Sequence, residues 1–373
     1  METTEMTTQR PSIFDPVTLG EIELPNRIVM ASMSRARANN DGFVPAPIQA
    51  EYYSQRASAG LILSEGIWPS REAVGAAWVP GLFSDAQIEG WRHVIDAVHA
   101  AGGRIVAQLG HTGGASHPAL LDGNLPLAPS AVSLNQPVFT GTLENSPVPR
   151  AMTTDDIART INDYRQATLR AREAGFDGVE LHGTVGYLIP QFLNDGFNQR
   201  EDRYGGSIEN RVRFPLEVLE AMIAAWTPGR IGLKLSPALG MGDLQPTATT
   251  LPTYEHLVTQ VNAMKIGYLQ LQNSPEDLTD TPVAALKDGT ARHFRPLFDG
   301  PIIANGGYDL TSAQALLAAG DADAVAFGTP YLANPDLVER LRDGLSLAPV
   351  PPRETWYGGG AKGYTDYPRA RNG

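Results

Sequence analysis

The stretch FDGVELHGTVGYLIPQFLNDGFNQREDRYGG, residues 176–206, begins as a short apolar strand and surfaces at a histidine, a glycine-containing turn and a tyrosine. An unbroken apolar run that is this short is typical of a strand buried on both faces of a parallel sheet. His182, Val185 and Tyr187 then follow at the carboxyl end of the strand. Carboxyl ends of parallel strands carry the binding residues of α/β proteins, so this turn predicts a functional edge.

The same pattern recurs along the chain. Segments with helical spacing lie between most of the apolar runs. One such segment begins at the N-cap Ser84 and ends at the glycine pair 102–103, and another begins at Thr153 or Thr154 and ends at Gly175. The eight runs that we predict as strands are residues 27–30, 61–65, 104–108, 178–181, 231–235, 268–271, 301–304 and 324–327.

Eight strand and helix units in 373 residues predict an α/β fold of the (β/α)8 TIM barrel type. A doubly wound open sheet is the alternative, but no G-x-G-x-x-G fingerprint follows the first strand. No linker divides the chain, so we predict one domain over residues 1–373, with residues 1–10 as a flexible N-terminus. Residues 111–149, rich in Gly, Pro, Ser and Asn, are interpreted as an elaborated loop after strand 3 that covers the active face.

Composition narrows the classes of function. A formal net charge of −12 argues against nucleic acid or an anionic membrane as a partner and favours a small-molecule substrate. The chain has no cysteine, which excludes disulfides, thiolate metal sites and a cysteine nucleophile. Redox chemistry would therefore require a bound cofactor. The polar N-terminus and the absence of a long apolar stretch predict a cytoplasmic protein with no membrane span.

Polar residues are dense directly after the predicted strands. A lone histidine there often caps backbone and a lone tyrosine is more often a packing residue, but His182 and Tyr187 on one turn form a candidate acid–base pair. Gln108 can hold the amide edge of a planar heterocycle or can satisfy loop backbone. Lys234 is costly to bury without an anion, so it indicates a negatively charged partner.

Two further patterns concern phosphate and metal. The segments IIANGGYD and AVAFGTPYLANPD place glycines after strands seven and eight, where barrels of this type bind phosphate through backbone N–H groups. His111 and His117 flank a glycine loop without a third ligand nearby, so we predict no metal site. The charged segment QREDRYGGSIENRVRF is interpreted as a solvated ion-pair loop followed by a helix start.

These residues together resemble the old yellow enzyme family of FMN-dependent ene-reductases (NADH:flavin oxidoreductases). The resemblance covers nearly the whole chain and is carried by FDPVTLGEIELPNRIVMASMSR, AQLGHTG, the long block from FDGVELHG to ENRVRF, IGLKLSP, IIANGGYD, AFGTPYLANPDL and KGYTDYP. It implies a (β/α)8 barrel that holds FMN at its carboxyl face. The flavin would be reduced by NADPH or NADH and reoxidised by an activated alkene.

The resemblance also implies roles for single residues. His182 would hold the substrate carbonyl oxygen and Tyr187 would donate the proton, and the substrate pocket would include Val185, Gly110 and Tyr364. Ser34 stands where the family has a Thr or Cys that contacts the flavin. The cofactor-binding residues that it implies are Ser32, Met33, Ser34, Gly66, Gln108, Lys234, Gly306, Gly307, Gly328 and Thr329.

Four positions depart from the family pattern. Val185 replaces the Asn or His that supplies the second hydrogen bond to the carbonyl oxygen, so that clamp loses one donor; loss of one such donor commonly costs about 10²–10³ in rate. Lys234 replaces an Arg beside the flavin, and Thr329 replaces the Arg that clamps the FMN phosphate, so a weakened FMN site is expected. Gly110 replaces a Trp that lines the pocket, which opens room for a bulkier substrate.

The sequence therefore supports an FMN-dependent ene-reductase of atypical substrate scope. The expected substrate is a small molecule, either an α,β-unsaturated carbonyl compound or a bulky polycyclic compound. The alternatives are a repurposed barrel that catalyses isomerisation, cyclisation or dehydrogenation with FMN structural or lost, and a noncatalytic ligand-binding descendant. The choice between NADH and NADPH, and between a monomer and a homodimer, stays open.

Overall fold

Eight apolar runs form the strands of a closed parallel barrel in the computed structural model, which describes residues 11–370. Around the barrel the order is the order of the chain, with the last strand pairing with the first. The barrel strands are β3 (Ile28–Met30), β4 (Leu61–Ile67), β5 (Ile105–Leu109), β10 (Gly178–Gly183), β11 (Ile231–Leu235), β12 (Tyr268–Gln272), β13 (Ile302–Asn305) and β14 (Ala324–Phe327).

Six shorter strands lie outside the barrel in three two-stranded sheets. They are β1 (Val17–Leu19), β2 (Ile22–Leu24), β6 (Leu127–Ala128), β7 (Pro137–Phe139), β8 (Leu143–Asn145) and β9 (Arg150–Ala151). The helices are α1 (Pro47–Ser54), α2 (Asp85–Ala100), α3 (Thr154–Ala174), α4 (Leu188–Leu193), α5 (Ile208–Arg211), α6 (Arg213–Ala225), α7 (Thr250–Met264), α8 (Thr290–Phe294), α9 (Leu310–Ala319), α10 (Thr329–Ala333) and α11 (Leu337–Asp343).

The predicted (β/α)8 barrel is confirmed, and each predicted run overlaps a barrel strand. The largest differences are two strands that are each two residues longer than predicted: β10 continues to Gly183, and β4 continues to Ile67 through a register shift between Leu63 and Gly66. Two predicted helix ends are also observed. The Ser84 hydroxyl accepts the N–H of Gln87 at the start of α2, and Gly175, with φ +101°, ends α3 in the left-handed conformation that glycine adopts without strain.

The amino end of the barrel is apolar. Alternate side chains of each barrel strand point inward, because successive residues of a strand face opposite sides of the sheet. The hairpin of β1 and β2 packs its apolar residues against the lowest of these inward-facing residues. The cluster contains Leu19, Ile22, Leu24, Val29, Leu61, Val106, Tyr268, Ile303 and Ala324, all buried. The polar interior of the barrel therefore lies toward the carboxyl end.

The elaborated loop after β5 holds β6, β7, β8 and β9 and packs beside the loop that follows β4. The ring of Phe139 meets that of Trp78 edge-on, 5.2 Å between centroids, and the N–H of Ala77 donates to the Phe139 carbonyl. These contacts close one side of the carboxyl face of the barrel. Residues 1–10, predicted to be a flexible terminus, lie outside the described residues. Among the residues described, no helix combines the length and apolar character needed to cross a bilayer.

Candidate active site

A cavity of about 600 Å³ opens at the carboxyl ends of the barrel strands. This volume lies within the range of about 300–1,000 Å³ that is usual for small-molecule sites. The structure brings nearly all of the predicted residues together around it. Those that line the cavity are Ser32, Met33, Ser34, Gly66, Gln108, Gly110, His182, Val185, Tyr187, Lys234, Gly306, Gly307, Gly328 and Thr329.

The expected place of Tyr364 in the substrate pocket is corrected by the structure. Tyr364 is fully buried, its ring stacks on Tyr52 with 4.0 Å between centroids, and it does not line the cavity. The guanidinium of Arg37 lies 4.0 Å from the Tyr364 centroid on this packed cluster. The aromatic residues of the same segment that do reach the cavity are Trp356 and Tyr357.

The C-terminal segment is held at the cavity by two buried arginines. Arg35 donates to the carbonyls of Trp356 at 2.8 Å and Gly363 at 3.1 Å, and Arg37 donates to the carbonyl of Thr355 at 3.2 Å. The side chain of Glu65, fully buried on β4, accepts the backbone N–H of Arg35. This network fixes the position of Trp356 at the mouth of the cavity.

The turn after β10 is strained at Val185. Val185 has φ +65°, in the left-handed region that β-branched residues rarely adopt. Its N–H donates to the Ser236 hydroxyl at 3.1 Å. Gly186 follows with φ +99°, and a Cβ there would lie 2.7 Å from the Met241 Cβ, so this position requires glycine.

Gln191 of α4 holds this turn from below. Its amide nitrogen donates to the carbonyls of Gly186 at 2.8 Å and Thr112 at 3.0 Å, while its amide oxygen accepts the N–H of Gly114 at 2.9 Å. The side chain is 1% exposed, so these hydrogen bonds are shielded from water. The turn that carries the predicted pair is thereby tied to the loop after β5.

His182 and Tyr187 lie together on one wall of the cavity. Their rings stack with 4.8 Å between centroids and 28° between planes. Burial and the charge of Lys234 lower the pKa of His182 to about 3, which keeps the imidazole neutral near pH 7. Burial raises the pKa of Tyr187 to about 12, which keeps its phenol protonated. The wall therefore offers a neutral imidazole and a phenolic proton side by side.

A hydrogen-bonded row crosses the floor of the cavity. The Ser32 hydroxyl lies 2.7 Å from the amide oxygen of Gln108, and the Gln108 amide nitrogen donates to Glu180 Oε1 at 2.7 Å. Glu180 is fully buried on β10, and in the register of the sheet it lies beside Gln108 on β5. Both ends of the Gln108 amide are thus engaged, which fixes its orientation.

Lys234 is the charged group that faces the cavity from β11. It is 6% exposed and sits opposite His182 in the register of β10 and β11. Burial lowers its pKa and the charge of Glu180 opposes that shift. No side-chain hydrogen bond or ion pair within 4 Å is formed by its ammonium group in the described part of the chain. An ammonium left without a partner at such a place is suited to an anionic or electron-rich ligand.

The other end of the cavity is built mainly from backbone. Gly306 and Gly307 have φ +102° and +79°, and a Cβ on Gly307 would meet no atom within 4 Å. Gly328 precedes Thr329, the exposed first residue of α10. Arg35 is the second cation among the described residues that line the cavity, and its guanidinium is hydrogen-bonded to carbonyls and to Tyr52. Tyr308, which follows Gly307, also lines the cavity, so this end offers mainly glycine backbone together with the side chains of Thr329 and Tyr308.

Several residues of the site were not predicted. Thr184, Trp68, Trp356 and Tyr357 line the cavity, and Glu180 supports its floor. Thr184 lies between two predicted residues in HGTVGY, so its sequence position was a usable signal. Glu180 sits two residues before His182, and strand alternation places both inside the barrel. Within residues 11–370, no group of three His, Cys, Asp or Glu side chains is placed to hold a metal ion.

Comparisons with known proteins agree with this geometry. A family model described as "NADH:flavin oxidoreductase / NADH oxidase family" matches residues 12–348. The chain is 39% identical to flavin oxidoreductase hxnT of Emericella nidulans, covering 96% of this chain and 98% of that protein. It is 36% identical to 12-oxophytodienoate reductase 7 of Oryza sativa subsp. japonica, covering 95% and 94%.

Solved structures extend the likeness to three dimensions. A structure of morphinone reductase in complex with tetrahydroNAD superposes with a TM-score of 0.90 and 44% identity, covering 97% of this chain and 98% of that chain. Since the family model and these relatives span nearly the whole barrel, the chain belongs to the NADH:flavin oxidoreductase / NADH oxidase family and is an oxidoreductase of the old yellow enzyme type.

Proposed function

We propose that the protein binds FMN in this cavity, accepts reducing equivalents from NADH or NADPH and reduces the carbon–carbon double bond of an α,β-unsaturated carbonyl compound. The observation that carries the proposal is the stacked pair of His182 and Tyr187 on the wall of a cavity that Lys234 also lines. These are a hydrogen-bonding group, a proton donor and a cation at one site. Family membership supplies the cofactor class.

The residues present fit a flavin. The unpartnered ammonium of Lys234 suits the electron-rich edge of the ring, and the Gln108 amide is held ready for a planar partner. Gly66 leaves open space, since a Cβ there would meet no atom within 4 Å. Ser32, Met33 and Ser34 would flank the ring system, and Gly306, Gly307, Gly328 and Thr329 would hold the phosphate. When bound, the flavin supplies reversible hydride storage.

The wall opposite the proposed flavin site has the protonation states that this reaction needs. His182 is neutral, so it can donate one hydrogen bond to a carbonyl oxygen without carrying charge. Tyr187 remains protonated up to high pH and can deliver its proton to the carbon next to the carbonyl group. Val185 contributes an apolar surface and no hydrogen bond to the oxygen.

Gly110 supports a bulky substrate. A Cβ at this position would lie 3.4 Å from the Cβ of His182, so any larger side chain would extend over the wall that carries the stacked pair. Glycine leaves that space free. We therefore propose substrates wider than a simple cyclic enone, including polycyclic carbonyl compounds.

The test is a set of spectra on protein purified without added flavin. We expect yellow protein or stoichiometric uptake on FMN titration, anaerobic bleaching by NADH or NADPH, and recovery of the yellow colour on addition of 2-cyclohexen-1-one or a polycyclic enone. Colourless protein that does not take up FMN would overturn the proposed cofactor. Flavin that is reduced but is reoxidised by no enone would overturn the proposed substrate class.

A further inference from the structure

Thr184 lies beside the imidazole of His182. Its hydroxyl oxygen is 3.1 Å from His182 Nε2, and the side chain lines the cavity although it is 1% exposed. No other hydrogen bond of this hydroxyl is found within residues 11–370. We propose that Thr184 supplies the second hydrogen bond to the substrate oxygen, in place of the polar side chain that Val185 lacks. This inference rests on the proposed function.

The distance allows one oxygen atom to contact both groups. Hydrogen bonds from O–H and N–H donors to oxygen span about 2.5–3.2 Å, so two donors that are 3.1 Å apart can both reach a single acceptor that lies to one side of the line joining them. Both donors sit at the carboxyl end of β10, where the strand and the turn held by Gln191 fix their separation. The pair is therefore preorganised before a ligand arrives.

The chemistry of the two groups permits this switch. His182 Nδ1 is buried and has no hydrogen-bond partner among the described residues. The contact of Nε2 with Thr184 is therefore the one hydrogen bond that the imidazole forms within residues 11–370. A hydroxyl both donates and accepts: without a ligand the Thr184 oxygen can accept from Nε2–H, and in the ligand complex Nε2–H and the Thr184 hydroxyl both donate to the ligand oxygen. A neutral imidazole alone offers a single N–H. Thr184 thus restores two donors to this wall.

Other groups on the turn do not fill this role. Val185 and Gly186 have no polar side-chain atom, and the Ser236 hydroxyl already accepts the N–H of Val185 and does not line the cavity. The Tyr187 phenol is the proposed proton donor. The ligand class favoured by the pair is a carbonyl oxygen that gains negative charge or a phenolate oxygen, because hydrogen bonds to charged oxygens are the stronger ones.

The experiment measures binding of 4-chlorophenol to FMN-loaded protein by flavin absorbance and to flavin-free protein by calorimetry. Thr184→Val removes the hydroxyl but keeps the side-chain shape, and Thr184→Ser keeps the hydroxyl. We expect Thr184→Val to weaken binding about tenfold, as loss of one hydrogen bond to a charged oxygen does, and Thr184→Ser to bind within about twofold of wild type. In a Val185→Asn background the effect of Thr184→Val should shrink.

The outcomes separate the two proposals. Equal 4-chlorophenol binding by wild type and Thr184→Val, or no binding by flavin-free wild type, overturns the role of Thr184. Failure of wild type to take up FMN overturns the proposed cofactor alone, since calorimetry on the flavin-free protein still reports the contribution of Thr184. An unchanged melting temperature and FMN affinity in Thr184→Val show that the variant is folded.

Discussion

The two ends of the cavity are built on different principles. At one end, which we call the side-chain end, the turn after β10 presents the individual side chains of His182, Thr184 and Tyr187. In this turn Val185 has φ +65°. At the other end, which we call the backbone end, the loops after β13 and β14 present mainly glycine backbone, with Tyr308 and the exposed Thr329 as side chains. At the first end, replacing a side chain removes a functional group from the cavity. At the second end, replacing a neighbouring residue leaves the backbone N–H groups in place.

The difference shows where this chain has diverged and where it has compensated. Val185 removes a donor from the side-chain end, and Thr184 stands one residue away with a hydroxyl beside His182. Thr329 leaves the backbone end without a free cation among the described residues, and Lys234, the free cation of the cavity, lies on β11 next to His182 in the register of the sheet. Because the ends differ in construction, substitutions should affect them unequally.

The largest effect is expected for the proton donor. Tyr187→Phe keeps the ring that stacks on His182 but removes the phenolic proton, so alkene reduction should slow by about 10²–10⁴. Reduction of the flavin by NADH or NADPH should change little, because that half-reaction does not use this proton. Stopped-flow measurement of both half-reactions separates them, and an unchanged oxidative half-reaction would remove Tyr187 from this role.

The next effect concerns the cation on the barrel floor. Lys234→Met deletes the ammonium and leaves Glu180 buried without a nearby positive charge. Loss of a charge-assisted contact of this kind should weaken FMN binding by about 10–100-fold. Thr329→Val, at the backbone end, is the matched control and should shift FMN affinity by about twofold or less. FMN affinities in the reverse order would contradict the comparison.

The backbone end should respond to an added charge. Thr329→Arg places a cation at the proposed phosphate position, where Thr329 is exposed. We expect FMN affinity to rise about five- to tenfold at low salt and the gain to diminish as ionic strength increases, because an exposed ion pair is screened. Thr329→Gln is the control for side-chain length. An affinity gain that salt does not reduce would point to a contact other than charge.

The strained turn gives a stability prediction. An L-residue other than Gly, Asn or Asp in the left-handed region costs about 1–2 kcal/mol, so Val185→Asn should stabilise the fold by about 0.5–1 kcal/mol. Val185→Ala keeps a Cβ and much of the strain, so it should show no such gain. Urea unfolding of the three proteins tests this expectation. Equal stabilities would mean that packing of Val185 offsets the strain.

The last prediction concerns the pH dependence of stability. The pKa of His182 is lowered to about 3 in the folded chain, against about 6.5 in an unfolded one. Below pH 6.5 the unfolded state therefore binds a proton that the native state does not, and stability should fall as pH decreases from 6.5 toward 3. His182→Asn should make unfolding free energies at pH 5 and pH 7.5 more alike. An unaltered difference would show that other groups carry this dependence.

Prediction from sequence succeeded where it depended on local pattern. Apolar runs located the eight strands, and residues directly after them, such as Gln108 and Lys234, proved to line one cavity. Tyr364 was misplaced because a motif near the end of the chain does not reveal which of its aromatic rings turns inward. Its ring is packed between Tyr52 and Arg37, residues that are more than 300 positions away in the sequence.

The amino-acid sequence by itself determined the parallel barrel and the edge at which the polar residues gather, because strand alternation and strand direction are local properties of the chain. Only the tertiary structure decided which side chains face one another. The support of Gln108 by Glu180 depends on the register of β5 and β10, whereas the stacking of His182 on Tyr187 and the position of the Thr184 hydroxyl at His182 Nε2 depend on backbone angles of the turn, such as φ +65° at Val185. Both the register and the turn geometry are set by contacts with distant parts of the chain, such as those of Ser236 and Thr112, which residue spacing along the chain does not specify.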